Sequence, residues 1–151
     1  MKEGLYFEEY TPELAFETEW AQVTDEKIRA FVELNEFRTP TYTDPAYMQK
    51  AYGGRMAPGM LVLSLAEGLV LNAGLTRKRG IFLMELTPKF RKPVFAGDRI
   101  VNRFRFKSKK LTSKPDRGVV VCEHEVVTQN GDVAVAYDSV RMIRTREFVE
   151  A

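Results

Sequence analysis

Apolar side chains crowd one stretch of the chain more than any other. The run MAPGMLVLSLAEGLVLNAGL, Met56 to Leu75, carries a single charge, Glu67, and places apolar residues on every side of a 3.6-residue wheel. This pattern predicts a helix buried nearly all round. Pro58 suits a first-turn position, where a missing N–H costs nothing, and Gly74 suits a stop. Gly59 then stands at the helix N-terminus, where N–H groups are unpaired and the dipole is positive. Four β-rich segments follow: Ile81 to Phe90, Arg99 to Ser108, Gly118 to Thr128 and Asp132 to Arg144. Asn130-Gly131 between the last two predicts a hairpin with a type I′ turn and positive φ at both residues. In the second segment Ile100, Phe104 and Phe106 alternate with Arg103, Arg105 and Lys107, so one face is predicted to be buried and the other wet.

Two shorter helices are predicted ahead of the long one. Thr24 caps the first, whose inner stripe is Ile28, Phe31 and Val32, with Lys27 where a capping box would place Glu. Asp44 before Pro45 caps the second, Pro45 to Tyr52, which Gly53-Gly54 break. Ala15 to Val23 supplies a first strand. A sheet with one wet face and a helix apolar on all sides each need a cover, and together they give an α+β architecture: an antiparallel sheet of about five strands wrapped round a long central helix, the hot-dog fold. No repeat or linker divides residues 1–151, so a single domain is expected.

Composition narrows the partners only a little. Twenty-three Lys and Arg against 21 Asp and Glu leave +2, which gives no reason to expect nucleic acid or a membrane surface as partner. The N-terminal segment has no apolar core of a signal peptide, and the lone Cys122 fits a reducing, cytoplasmic setting. No spacing of His and Cys suggests a metal site, and no cofactor is expected.

In order along the chain stand FVELNEFRTPTYTD, YGGRMAPGMLVLSLAEGL and LTPKFRKPVFAGDRI. This set resembles the MaoC-like hydratase/dehydratase family of hot-dog proteins over nearly the whole chain. The resemblance implies a site built around a dimer and a thioester substrate or ligand, acyl-CoA or acyl carrier protein. The family connector G-D-x-N-P-L-H-x-D keeps its Pro at Pro40 and its last Asp at Asp44. Its catalytic Asp falls on Phe37, its Asn on Thr39 and its catalytic His on Tyr42. The His of the loop before the helix falls on Pro58, and the Gly whose N–H holds the thioester carbonyl falls on Gly59.

Hydrating a conjugated thioester requires placed proton donors and acceptors, each contributing roughly 10²–10⁴-fold. Phe37 offers none, and the Tyr42 phenol can orient or donate a proton but is a poor base near neutrality. Three functions follow: a hydratase/dehydratase in which Tyr42 with Thr39 or Thr41 holds the water; a non-catalytic acyl-thioester binder or inactive subunit of a homodimer or of a heterodimer with an active paralogue; and a thioesterase. Arg38 and Arg55 flank the site loops and are candidates for a phosphate or carboxylate, against solvated or ion-paired roles. Glu67, in a buried helix, is expected to be paired, for instance with an arginine, or protonated. His124 is read as a surface or sheet-packing residue, Asp98 as a turn residue beside Gly97, and Cys122 as unreactive.

Overall fold

The computed structural model describes residues 3–149. Among these residues are a 3-10 turn, Phe7–Glu9, four α-helices and seven strands: α1 (Asp25–Leu34), α2 (Pro40–Thr43), α3 (Pro45–Tyr52), α4 (Gly59–Ala73), β1 (Ala15–Glu17), β2 (Ala21–Gln22), β3 (Gly80–Leu86), β4 (Lys89–Phe90), β5 (Arg99–Leu111), β6 (Arg117–Thr128) and β7 (Val133–Arg144). The strands form one antiparallel sheet in the order β1-β5-β6-β7-β3, with β2 also on β5 and β4 also on β7. Seven strands thus fill five lengthwise positions, because two of the expected strands are interrupted.

Each interruption has a local cause. The first strand breaks at Thr18, whose hydroxyl accepts the Asn102 N–H at 3.0 Å in place of a backbone carbonyl. The expected strand Ile81 to Phe90 breaks at Pro88, which has no N–H to give to the ladder. The expected type I′ turn is also corrected: Gly131 has φ 82°, but Asn130 does not take a positive φ. The Gly131 N–H reaches the Thr128 carbonyl at 2.9 Å, and the Thr128 N–H reaches that of Asp132 at 2.9 Å. This is a three-residue loop with glycine in the left-handed position, which closes the hairpin as well as the two-residue turn would.

Helix α4 lies against the sheet, giving the hot-dog arrangement. Its Leu61, Val62 and Ala66 pack with Val23 and Ile28 and with Ile100, Val126 and Val135 of the long strands in the main core. Gly74 stops it in the left-handed conformation, φ 89°. The expectation of burial nearly all round is corrected. Met60 and Leu71 are 55% and 53% exposed, and Ser64 between them is exposed too, because the curved sheet reaches round only part of the helix. Phe82, Leu83 and Met84 on edge strand β3 are also exposed.

The caps form as the sequence requires. Thr24 Oγ1 accepts from Lys27 N at 3.1 Å, and Asp44 Oδ1 accepts from Ala46 N and Tyr47 N at 3.0 and 3.2 Å. Between them the connector folds further than expected, into the single turn α2, with Thr39 before it and Pro40 as its first residue. Among the described residues no helix is long and apolar enough to cross a membrane.

Candidate functional site

Pro58 precedes α4 as its N-cap, buried, and its carbonyl takes the N–H groups of Leu61 and Val62 at 3.0 and 3.2 Å. Helix geometry leaves the N–H groups of Gly59 and Met60 without intrahelical acceptors. The loop that delivers them is stitched to the segment after β4: Ala57 N donates to Val94 O at 2.7 Å, Ala96 N to Arg55 O at 2.9 Å, and Met56 bridges Phe95. Beside this terminus opens a cleft of about 300 Å³. Met56, Val62 and Val135 give it apolar walls, Tyr42 and Phe90 contribute rings, and Arg91 and Lys92 contribute positive charge.

Phe37 and Tyr42 do different work. Phe37 packs edge-on to Phe31, centroids 5.7 Å apart, and lies 5.6 Å from the Tyr42 ring. It belongs to the flank of the main core rather than the cleft lining, and holds Tyr42 toward that lining. Burial, and secondarily the neighbouring Tyr52, pushes the Tyr42 phenol above its ordinary value, so it stays protonated across the neutral range. Thr39 is exposed and makes no side-chain cap bond, while Thr41 Oγ1 lies 3.5 Å from Tyr52 OH. Neither threonine lines the cleft. Arg38 stands exposed 3.6 Å from Glu33, and Arg55 Nε binds Asp25 at 2.5 Å, which ties the pre-helix loop to the start of α1. Tyr42, Gly59 and their opposite wall are therefore brought together, while Thr39, Thr41, Arg38 and Arg55 are not.

Phe90 and Arg91 are among the cleft residues that sequence reasoning passed over. Their only sequence signal was their place in TPKFRKPV, directly before the turn that packs on the pre-helix loop. Arg91 has no acidic partner among the described residues, whereas Lys92 binds Asp132 at 2.9 Å.

The remaining titratable candidates assemble elsewhere, between α4 and the sheet. Asn102 Nδ2 donates to Ala66 O at 3.0 Å and to Tyr137 OH at 2.8 Å, which leaves its Oδ1 as an acceptor. His124 Nδ1, at 3.1 Å, must therefore carry the proton given to Oδ1, and Nε2 must accept from Ser139 Oγ at 2.7 Å. Tyr137 in turn donates to Glu67 Oε1 at 2.6 Å, and Arg141 binds Glu67 Oε2. Hydrogen bonds thus run in one direction from Ser139 to the Glu67 carboxylate. Glu67 is paired with an arginine, and His124 is a sheet-packing residue, its ring stacked 4.2 Å from that of Tyr137.

Burial and then Arg141 hold the His124 imidazolium down to about 3, and burial pushes the Cys122 thiol up to about 11. Asp98 serves its turn, accepting from Phe95 N and Gln129 Nε2 beside Gly97, φ 95°. No group of three or more His, Cys, Asp and Glu among the described residues is placed to hold a metal ion.

Chemically, the cleft presents unpaired N–H groups and a positive dipole to a carbonyl oxygen, with apolar walls behind. Among the described residues its lining has one phenol and two cations but no carboxylate and no imidazole.

Comparison with known proteins agrees with this architecture. Residues 8–128 match the family described as MaoC like domain. Among solved structures, the monoamine oxidase regulatory protein of Archaeoglobus fulgidus is 29% identical with a TM-score of 0.86, covering 95% of this chain and 96% of that one. An (R)-hydratase from A. caviae, involved in PHA biosynthesis, is 25% identical with a TM-score of 0.73, covering 88% and 96%. The HadBC complex of Mycobacterium tuberculosis, a 3R-hydroxyacyl-ACP dehydratase, contains a chain 21% identical with a TM-score of 0.70, covering 87% and 98%. No curated protein matches the sequence.

Proposed function

The chain belongs to the MaoC-like domain family, and from that premise we propose that it binds an acyl thioester, of coenzyme A or acyl carrier protein, in the service of hydration or dehydration. The thioester carbonyl sits at the Gly59 N–H and the acyl chain lies along Met56, Val62 and Val135. The observation that carries this reading is a cleft that ends on a helix N-terminus yet has no carboxylate or imidazole in its lining. Such a site can hold and polarise a carbonyl; it has no base with which to take a proton from water or from an α-carbon at neutral pH.

The missing pair must then come from another chain. Leu83 on edge strand β3 and Met60 and Leu71 on α4 are large apolar side chains exposed in the single chain, which supports an oligomer. A second identical copy brings Phe37 and Tyr42 again, so a homodimer completes the fold but not the dyad; a heterodimer with an active paralogue completes both. HadBC is itself named as a complex. A second reading keeps the chemistry in this chain, with Tyr42 as proton donor, and rests on the phenol's place in the cleft.

Crotonyl-CoA and 3-hydroxybutyryl-CoA, added to the purified protein, are expected to raise its melting temperature through linkage, with no interconversion of the two. Tyr42→Phe should leave that shift in place. Turnover by the protein alone, lost by 10²-fold or more in Tyr42→Phe, would establish the second reading instead. No thermal shift with either ligand sinks both.

A further inference from the structure

A methyl group built on Gly59 would stand 3.0 Å from both Cδ1 and Cε1 of Phe90 and 3.5 Å from its Cγ. The obstacle is a ring rather than backbone, it is half exposed, and it belongs to a strand only two residues long, held to β7 through Lys89 opposite Ala136 and Phe90 opposite Val135. Val135 is itself buried and shares the cleft with Phe90, so the ring has a fixed floor. The space directly beside the helix terminus is therefore filled to the thickness of one carbon atom by a side chain with no other described ring contact.

We propose that Phe90 is the specificity-determining residue of this cleft, admitting acyl thioesters that are unbranched at the α-carbon and turning away those that carry an α-methyl group. The inference rests on the carbonyl lying at the Gly59 N–H. A carbonyl oxygen held there places the acyl α-carbon next to the Gly59 Cα. An α-substituent on that side enters the volume that a Cβ at position 59 would occupy, and meets the same ring carbons. A straight chain passes along Val62 and Val135 without entering it. Discrimination of about tenfold against one added methyl group is what an apolar wall backed by buried Val135 supplies.

Titration calorimetry of butyryl-CoA and 2-methylbutyryl-CoA against wild type, Phe90→Leu and Phe90→Ala tests this. Wild type should favour the straight chain by about tenfold, and Phe90→Ala should erase or reverse that preference, with Phe90→Leu between. An unchanged ratio in Phe90→Ala, while both ligands still bind, overturns the proposal and leaves the thioester reading standing. Failure of wild type to bind either ligand overturns both.

A ligand-free measurement separates the contact from the binding. Gly59→Ala should lower the melting temperature, and the double variant Gly59→Ala with Phe90→Ala should lose less than the sum of the two single changes, because the obstructing ring is gone. Strict additivity would show that the ring is not the neighbour that excludes a side chain at 59, and would overturn the proposal.

Discussion

His124 gives a pH dependence that can be worked from its surroundings. It is 3% exposed, bonded on both nitrogens and flanked by the rings of Phe104 and Tyr137, and the charged group that acts on it is Arg141. Burial and Arg141 hold it at about 3, against 6.5 in the unfolded chain. Between these values the unfolded chain binds more protons, so the contribution is fully present above pH 6.5 and is lost as pH falls toward 3. Going from pH 8 to pH 5 removes about 2 kcal/mol by this linkage, and the full span amounts to roughly 5 kcal/mol.

Urea unfolding at pH 8 and pH 5, at one protein concentration, of wild type and His124→Gln isolates the effect. Other groups titrate alike in both proteins, so the difference of differences belongs to the histidine. With a slope of about 2 kcal/mol per molar urea, the wild-type midpoint should fall about 1 M further than that of the variant. Equal falls would refute the argument that His124 is held neutral by its enclosure.

Three further outcomes follow from other contacts. Arg141→Met strands the Glu67 carboxylate, 13% exposed, and should cost about 3–5 kcal/mol in chemical denaturation, much of it recovered on adding Glu67→Leu. Gly118→Ala puts a methyl group 2.4 Å from two Phe7 ring carbons and should cost about 1–3 kcal/mol by displacing the Phe7–Glu9 turn from the sheet, seen as a lower melting temperature. Leu83→Lys on the exposed edge strand should shift the protein to a smaller species in sedimentation without changing its circular dichroism.

What could be read from sequence was what local pattern encodes. The apolar run ending at Gly74, the caps at Thr24 and Asp44, and the alternation around Phe104 all depend on neighbours within a few positions, and all appear in the structure. Pro88 was visible too, yet the apolar residues on both sides of it favoured one strand over two. The chain from Ser139 to Glu67 was not legible. Its members at 67, 102, 124, 137, 139 and 141 lie on α4, β5, β6 and β7, and only strand register brings them together. The cleft was half legible: Gly59 and Tyr42 came from a motif, whereas Phe90 and Arg91 follow from how β4 lies on β7.

The inward positions of β6 include Val120, Cys122, His124 and Val126, and across the ladder they stand opposite Lys109 and Arg141, Phe106 and Ser139, Phe104 and Tyr137, and Asn102 and Val135 in turn. Slipping this strand by two residues would keep every side chain on its own face, so the alternation alone does not choose between the alignments. The three-residue loop to β7 and the two hydrogen bonds of the histidine do. Shifted by two, His124 would stand opposite Asn102 or opposite Ser139 but no longer between the two, and at least one buried polar group would lose its partner, at a cost of about 1–3 kcal/mol. The polar line through the middle of this protein therefore works as a registration mark for the sheet, adding to the cost of a strand laid down out of step.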